Sequence, residues 1–290
     1  MTITHIGILV ADLESAREHW SRATGFPFSP ISRYRPPNWS DHGSPEPHLH
    51  DARLTFCLGD NPSIEILEFV GTGTHSPGKG EGGHHLSFPP LADNEARRRE
   101  LAAAGLGIDG EFRIDGRLVF QFAEAGPLDN VYTEWVEEHP GHPDVKDDLS
   151  PVDRLPDGTK ALFDVALGGR REPSGIVEFG VRVHDLGKSV ALWSRVIGRT
   201  FSSSVSSSSS VSSSVSSSVS QGPGAAVRLV PAGQPHERPG LFSVTMEVAD
   251  LDATRARLLA AGVPLSLVPG VEVDAGFLNG LTLRFRGRPG

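Results

Sequence analysis

The chain of 290 residues carries 27 Lys and Arg against 36 Asp and Glu, a formal net charge of −9 at pH 7, with 38% hydrophobic residues. That length accommodates two domains of roughly 100–150 residues, and an acidic surface without a Lys/Arg-rich run or aromatic ladder argues against a nucleic-acid partner. The apolar stretches are strand-sized, whereas a bilayer helix needs about 20 residues, and Met1-Thr-Ile-Thr-His5 lacks the parts of a secretory signal, so a cytoplasmic protein with no membrane partner is expected.

Residues 3–10 form a short apolar run, followed by a helix start at Asp12-Leu13, an amphipathic segment carrying Trp20, and a stop at Gly25. A Pro- and His-bearing insert at 26–51 follows. Alternating apolar residues predict strands at 53–58 and 63–70. The single cysteine, Cys57, lies in the first of these and reads as a small strand residue; alone, it cannot form an internal disulfide. A further strand-like run then leads into Asp93-Asn-Glu-Ala-Arg-Arg-Arg-Glu-Leu-Ala-Ala-Ala-Gly105, a helix ending at glycine, with more strands at 118–123 and 131–136. The interval 140–173 is rich in Pro, Gly and Asp and reads as a linker with one short packed segment at 161–166.

The remainder repeats the beginning. Val183, Asp185-Leu186, Trp193-Ser194-Arg195 and Gly198 stand 173 positions after Val10, Asp12-Leu13, Trp20-Ser21-Arg22 and Gly25. Likewise, the segment from Asp250 to Gly262 repeats the one from Asp93 to Gly105 at a separation of 157. Four strand-helix-strands units result, giving an α+β chain with one pair at 1–139 and a second at 174–290. The serine tract at 202–220 has too little apolar surface to offset its ordering entropy, so a mobile loop or an artefact of sequence recording is expected there.

Aligning the units singles out four residues. His5 and His85 hold the same place on the opening strands of the first two units, and Glu65 and Glu134 on their closing strands. Strand side chains alternate, so all four can point into one cavity if two sheets face each other about a pseudo-twofold axis. Imidazole and carboxylate are ligands of divalent transition metals, and four of them leave one or two positions for water or substrate. In the second pair the matching positions hold Glu178, Arg228, Phe242 or Ser243, and Arg284, a set that cannot bind a divalent cation. The two arginines are expected either to pair with Glu178 or to hold an anionic ligand group. By alternation His84 faces away from His85, as a supporting residue or, failing that, a further ligand. Glu68 and Glu137 also face away and are expected to be solvated. Within the insert, Arg33, Arg35, Trp39 and His50 are candidate substrate-binding residues of a lid over the cavity, the arginines suiting a carboxylate or phosphate; the competing reading is a proline-rich surface loop.

The motifs His5-Ile-Gly-Ile-Leu-Val-Ala-Asp-Leu, Ile64-Glu-Ile-Leu-Glu-Phe69, Gly83-His-His-Leu-Ser-Phe88 and Tyr132-Thr-Glu-Trp-Val-Glu137 resemble the vicinal oxygen chelate superfamily of glyoxalases, epimerases, bleomycin-resistance proteins and extradiol dioxygenases. The likeness is closest to methylmalonyl-CoA epimerase and glyoxalase I, and it implies four βαβββ modules forming two domains, each a pair of curved mixed sheets around a cavity. It further implies a divalent metal (Co, Ni, Zn, Mn or Fe) on His5, Glu65, His85 and Glu134, and a small carbonyl substrate. An isomerase, epimerase or lyase acting through an enolate is expected, with Glu134 or Glu65 as base. The alternatives are an iron-dependent ring-cleaving dioxygenase, using three ligands such as His5, His85 and Glu134, and a non-catalytic drug- or metabolite-binding protein. The assembly is expected to be a homodimer or a monomer in which the second pair imitates a partner.

Overall fold

A computed structural model of the chain describes residues 1–59, 62–137, 174–206, 215–234, 237–268 and 270–288. The interval expected as a linker, 140–173 with its packed segment at 161–166, lies outside the described residues.

The first sheet joins two modules edge to edge. Module one supplies β1 (His5–Val10), α1 (Leu13–Thr24), β2 (Ser32–Tyr34), β5 (Ala52–Phe56) and β6 (Ser63–Glu68). Module two supplies β7 (Gly82–Ser87), α2 (Asn94–Ala103), β8 (Ile108–Ile114), β9 (Arg117–Ala123) and β10 (Tyr132–Val136). The strand order is β2-β5-β6-β1-β7-β10-β9-β8, continued by β3 (Trp39–Asp41) and β4 (Ser44–His48) of the insert. The two half-sheets thus meet along the antiparallel pair β1–β7, with parallel pairs β1–β6 and β7–β10 on either side. The insert leaves the module-one edge and pairs with β8 at the opposite edge, Ser40 to Glu111 and Asp41 to Gly110, so it straps the two edges together.

The second sheet has the order β12-β13-β14-β11-β15-β17-β16. Its strands are β11 (Ile176–Val183), β12 (Phe201–Ser206), β13 (Val215–Ser220), β14 (Ala226–Pro231), β15 (Gly240–Val248), β16 (Val271–Val273) and β17 (Thr282–Gly287), with α3 (Leu186–Ile197) and α4 (Leu251–Ala260). Its fourth module is shortened: the strand that would match β8 is reduced to the single bridge between Leu265 and Val273. The serine tract departs from expectation. Its described ends are the antiparallel strands β12 and β13, and β13 also pairs with β14. Sheet pairing needs only backbone groups, and serine hydroxyls take part: Ser220 Oγ accepts from the backbone N–H of Val227 at 2.8 Å.

The four α-helices among the described residues start alike. Asp12, Asp93, Asp185 and Asp250 accept the backbone N–H of the residue three further on, at 3.0, 2.8, 3.1 and 2.9 Å, which supplies a partner to one orphan donor per helix. Trp20 and Trp193, at repeat-related positions, are fully buried between helix and sheet, within one apolar cluster that runs through both domains. Helix ends also bridge the domains. The guanidinium of Arg22 donates to the carbonyl of Ala261 at the end of α4, and that of Arg257 donates to the carbonyls of Arg22 and Ala23 at the end of α1, each serving carbonyls the helix leaves unpaired. Cys57 is buried, and burial pushes its thiol up to about 12, so it stays protonated at neutral pH.

Candidate metal centre

The helices cover the side of the first sheet that carries Ile6, Ile8 and Val10, leaving His5, Gly7 and Leu9 on the other. Gly7 of β1 is level with Glu65 on β6 and with His85 on β7, and Glu134 on β10 is level with Ser87. The four candidate ligands therefore stand on four adjacent strands of one sheet, rather than on two sheets facing each other. His85 Nε2 lies 3.2 Å from His5 Nε2, 3.2 Å from Glu65 Oε2 and 3.3 Å from Glu134 Oε2. His5 Nε2 lies 3.6 Å from a carboxylate oxygen of each glutamate.

Gly7 makes this approach feasible. A Cβ there would lie 2.0 Å from Cε1 of His85, so the imidazole can lie across β1 only where β1 has no side chain. Ser87, two residues beyond His85 and on the same face, donates its hydroxyl to Glu134 Oε1 at 2.8 Å. Glu65 Oε2 has no hydrogen-bond partner among the described residues.

The electrostatics leave a deficit of positive charge. Burial holds His85 down to about 3 and His5 down to about 4, so both rings are neutral. Burial and then the neighbouring Glu65 push Glu134 up to about 8, and burial raises Glu65 as well. Among the described residues no Lys or Arg pairs with either glutamate. Neutral imidazoles with outward lone pairs and two buried, mutually repelling carboxylates suit a divalent cation. Donors about 2.1 Å from a common ion stand about 3.0–3.4 Å apart, close to the spacings found. The four offer ligand atoms all within 4.8 Å of one another, and the chain thus carries a His/Glu cluster that could hold a divalent metal.

Around the cluster the wall is aromatic. Phe56 meets His5 edge-on with ring centres 5.6 Å apart, and Phe122 lies 5.2 Å from His85. Trp39 and His50 of the insert are buried and stacked on each other at 4.7 Å; His50 leads on to His75 and His75 to His84. Burial holds His50 down to about 4. Of the four insert residues expected at the substrate, Trp39 and His50 thus join this wall. Arg33 and Arg35 instead turn to Asp51, at 2.9 and 3.7 Å. A cavity of about 770 Å³ between the two sheets is lined by His84 and Tyr132 on one side and Arg182 and Phe242 on the other, and by none of the four candidate ligands.

Two sequence expectations are corrected. His84 does not face away from His85: the pairing jumps from Gly7–His85 to Ile8–Gly83, so His84 is the extra residue of a β-bulge, and the two imidazoles touch, Nδ1 to Nδ1, at 2.9 Å. Glu137 is buried rather than solvated, because it accepts the backbone N–H of Asn94 at the start of α2, at 2.9 Å, and pairs with Arg117. Glu68 is partly exposed and pairs with Arg53. Alternation could have pointed to Ser87, and a glycine within a strand to Gly7; the roles of Thr74 and Asp41, described below, had no sequence signal.

Residues 4–119 match the Glyoxalase/Bleomycin resistance protein/Dioxygenase superfamily. The matched segment is less than half of the chain, and over it the chain is similar to that superfamily. Its fold is similar to that of a triple mutant of 4-hydroxymandelate synthase from Streptomyces coelicolor, at a TM-score of 0.67 and 13% identity over 100% of this chain and 93% of that one. It is also similar to 2,2′,3-trihydroxybiphenyl 1,2-dioxygenase from Sphingomonas wittichii, at 0.57 and 10% over 99% and 90%. A Mn(II)-bound glyoxalase from Novosphingobium aromaticivorans aligns at 0.54 and 12% over 99% and 81%. No curated protein matches the sequence. These likenesses are of fold. Among the described residues no helix is long and apolar enough to cross a membrane.

Proposed function

We propose that the chain is a metal-dependent isomerase, epimerase or lyase that moves a proton on the carbon next to a carbonyl of a small substrate. The observation that carries this reading is the second carboxylate: Glu65 Oε2, buried, without a hydrogen-bond partner, and 3.2 Å from His85 Nε2. His5, Glu65, His85 and Glu134 would hold the ion, which when bound supplies a positive charge that polarises the substrate carbonyl and offsets the charge developing on its oxygen. Glu134, whose Oε1 accepts the Ser87 hydroxyl, would remain among the groups holding the ion, whereas Glu65, whose Oε2 has no such partner among the described residues, would take the proton from carbon and return it. Burial raises Glu65 from its ordinary value, the direction that makes a carboxylate a stronger base. Phe56 and Phe122 shield this transfer from water. One proton leaves carbon and one returns, so no oxidant is consumed.

A second reading, ring cleavage by an iron-dependent dioxygenase, is favoured by the same hydrogen bond from Ser87, which singles out His5, His85 and Glu134 as a three-donor set. The test is deuterium exchange from D2O into candidate carbonyl compounds, followed by NMR with protein loaded with cobalt, nickel, zinc or manganese, beside oxygen uptake with ferrous iron. Exchange is expected, and Glu65→Gln should slow it by about 10²–10⁴-fold while metal stays bound. Oxygen uptake without exchange would replace this reading with the dioxygenase. Ligand binding indifferent to chelators would replace both with a binding protein.

A further inference from the structure

The β-bulge of β7 puts two imidazoles side by side, and their hydrogen bonds have one consistent direction. His84 Nε2 lies 2.8 Å from the carbonyl oxygen of Thr74, and a carbonyl only accepts, so this nitrogen carries a proton. His84 is buried and pairs with no Asp or Glu among the described residues, so nothing there balances a charged ring; in the neutral ring Nδ1 holds a lone pair, and that atom lies 2.9 Å from Nδ1 of His85. Nδ1 of His85 must then be the donor. Its Nε2 is left unprotonated, with the lone pair directed at His5 and both glutamates. The starting point of this chain is itself held. Asp41 accepts the backbone N–H and the hydroxyl of Thr74 at 3.0 and 3.3 Å, and also Trp39 Nε1 and the N–H groups of Gly43 and Ser44 at 3.0 Å each.

The second domain provides a contrast inside the same molecule. There the bulge recurs, with pairing that jumps from Gly180–Ser243 to Val181–Leu241, and the extra residue is Phe242. A bulge is thus part of the module, whereas an imidazole on it accompanies the His/Glu cluster.

We infer that His84 is a positioning residue that fixes His85 as its Nδ1–H tautomer and thereby presents the Nε2 lone pair to a metal, with Asp41 and Thr74 of the insert and its neighbouring loop anchoring the chain of hydrogen bonds. A ligating histidine commonly gives its other N–H to an acceptor that fixes ring and tautomer; here the acceptor is a second histidine. The consequence for metal binding rests on the reading under Proposed function, but the tautomer is a property of the metal-free protein.

The two are separated by two measurements. Long-range ¹H–¹⁵N NMR of metal-free protein labelled at histidine is expected to show His85 protonated at Nδ1 and bare at Nε2, with His84 the reverse. Zinc(II) titration by calorimetry is expected to show His84→Phe binding about 10–100-fold more weakly than wild type, and His84→Asn, whose side-chain oxygen replaces the accepting Nδ1, recovering most of the loss. A wild-type spectrum with His85 protonated at Nε2 would overturn the inference whether or not the variants fold, as would a folded His84→Phe that binds zinc as tightly as wild type. Wild-type protein that shows the expected tautomers yet binds no zinc would sink the metal reading and leave the orienting role of His84 standing.

Discussion

The two domains hold the same four positions on the same four strands and fill them with opposite chemistry. Register makes the comparison direct: Gly7 is level with Glu65 and His85, and Gly180 with Arg228 and Ser243. In the second domain Arg228 meets Glu178, the counterpart of His5, with two hydrogen bonds of 2.8 and 2.9 Å, while Arg284, the counterpart of Glu134, pairs with Glu272 at 2.7 Å. The C-terminal set is thus satisfied by its own charges. The N-terminal set is not, since two buried carboxylates face two neutral imidazoles, and this imbalance is what a cation would correct.

Breaking the N-terminal set should have the largest effect. His85→Ala removes the donor nearest to the other three and is expected to abolish stoichiometric metal binding; a variant that keeps one equivalent by equilibrium dialysis would contradict the assigned cluster. Gly7→Ala tests the same geometry from the backbone, because its Cβ would stand 2.0 Å from the His85 ring. Forcing that ring aside is expected to cost about 1–3 kcal/mol of stability, read from chemical denaturation, together with weaker metal binding. In the second domain Arg228→Met leaves Glu178 without its ion pair and is expected to cost about 1–3 kcal/mol, with metal content unchanged. A matching loss of metal would show that the two domains are not independent in this respect.

The smallest effect should be a pH dependence confined to metal-free protein. Glu134 is pushed up to about 8, above its ordinary value, so between about pH 6.5 and 8 the folded state keeps a proton that the unfolded state has lost, and stability falls as pH rises. His5 and His85, held down to about 4 and 3, act in the opposite direction only below the ordinary histidine range, so they do not mask this decline. A thermal-melting series should show Tm decreasing over that window without metal, and much less so with metal or in Glu134→Gln; a flat metal-free profile would argue against two strained carboxylates.

Much of the architecture could be read from the chain because duplication preserves spacing: offsets of 173 and 157 located the helices, and aligning the units brought out His5, Glu65, His85 and Glu134 together. What escaped depends on contacts without a period. A β-bulge breaks alternation, which misplaced His84; Glu137 is buried because a helix start from elsewhere in the module meets it; and the serine strands are held through their backbones. Asp41 and Thr74 matter only once the insert has crossed to β8, a long-range pairing that local patterns do not encode.

The central claim is tested most directly by metal content, measured by plasma mass spectrometry on protein purified without a tag or chelator, beside a His5→Ala/Glu134→Ala double variant. About one equivalent of a divalent transition metal in the wild type, lost in the variant, is the expected result. Wild-type protein that stays empty after reconstitution, or a folded double variant that keeps its metal, would contradict it.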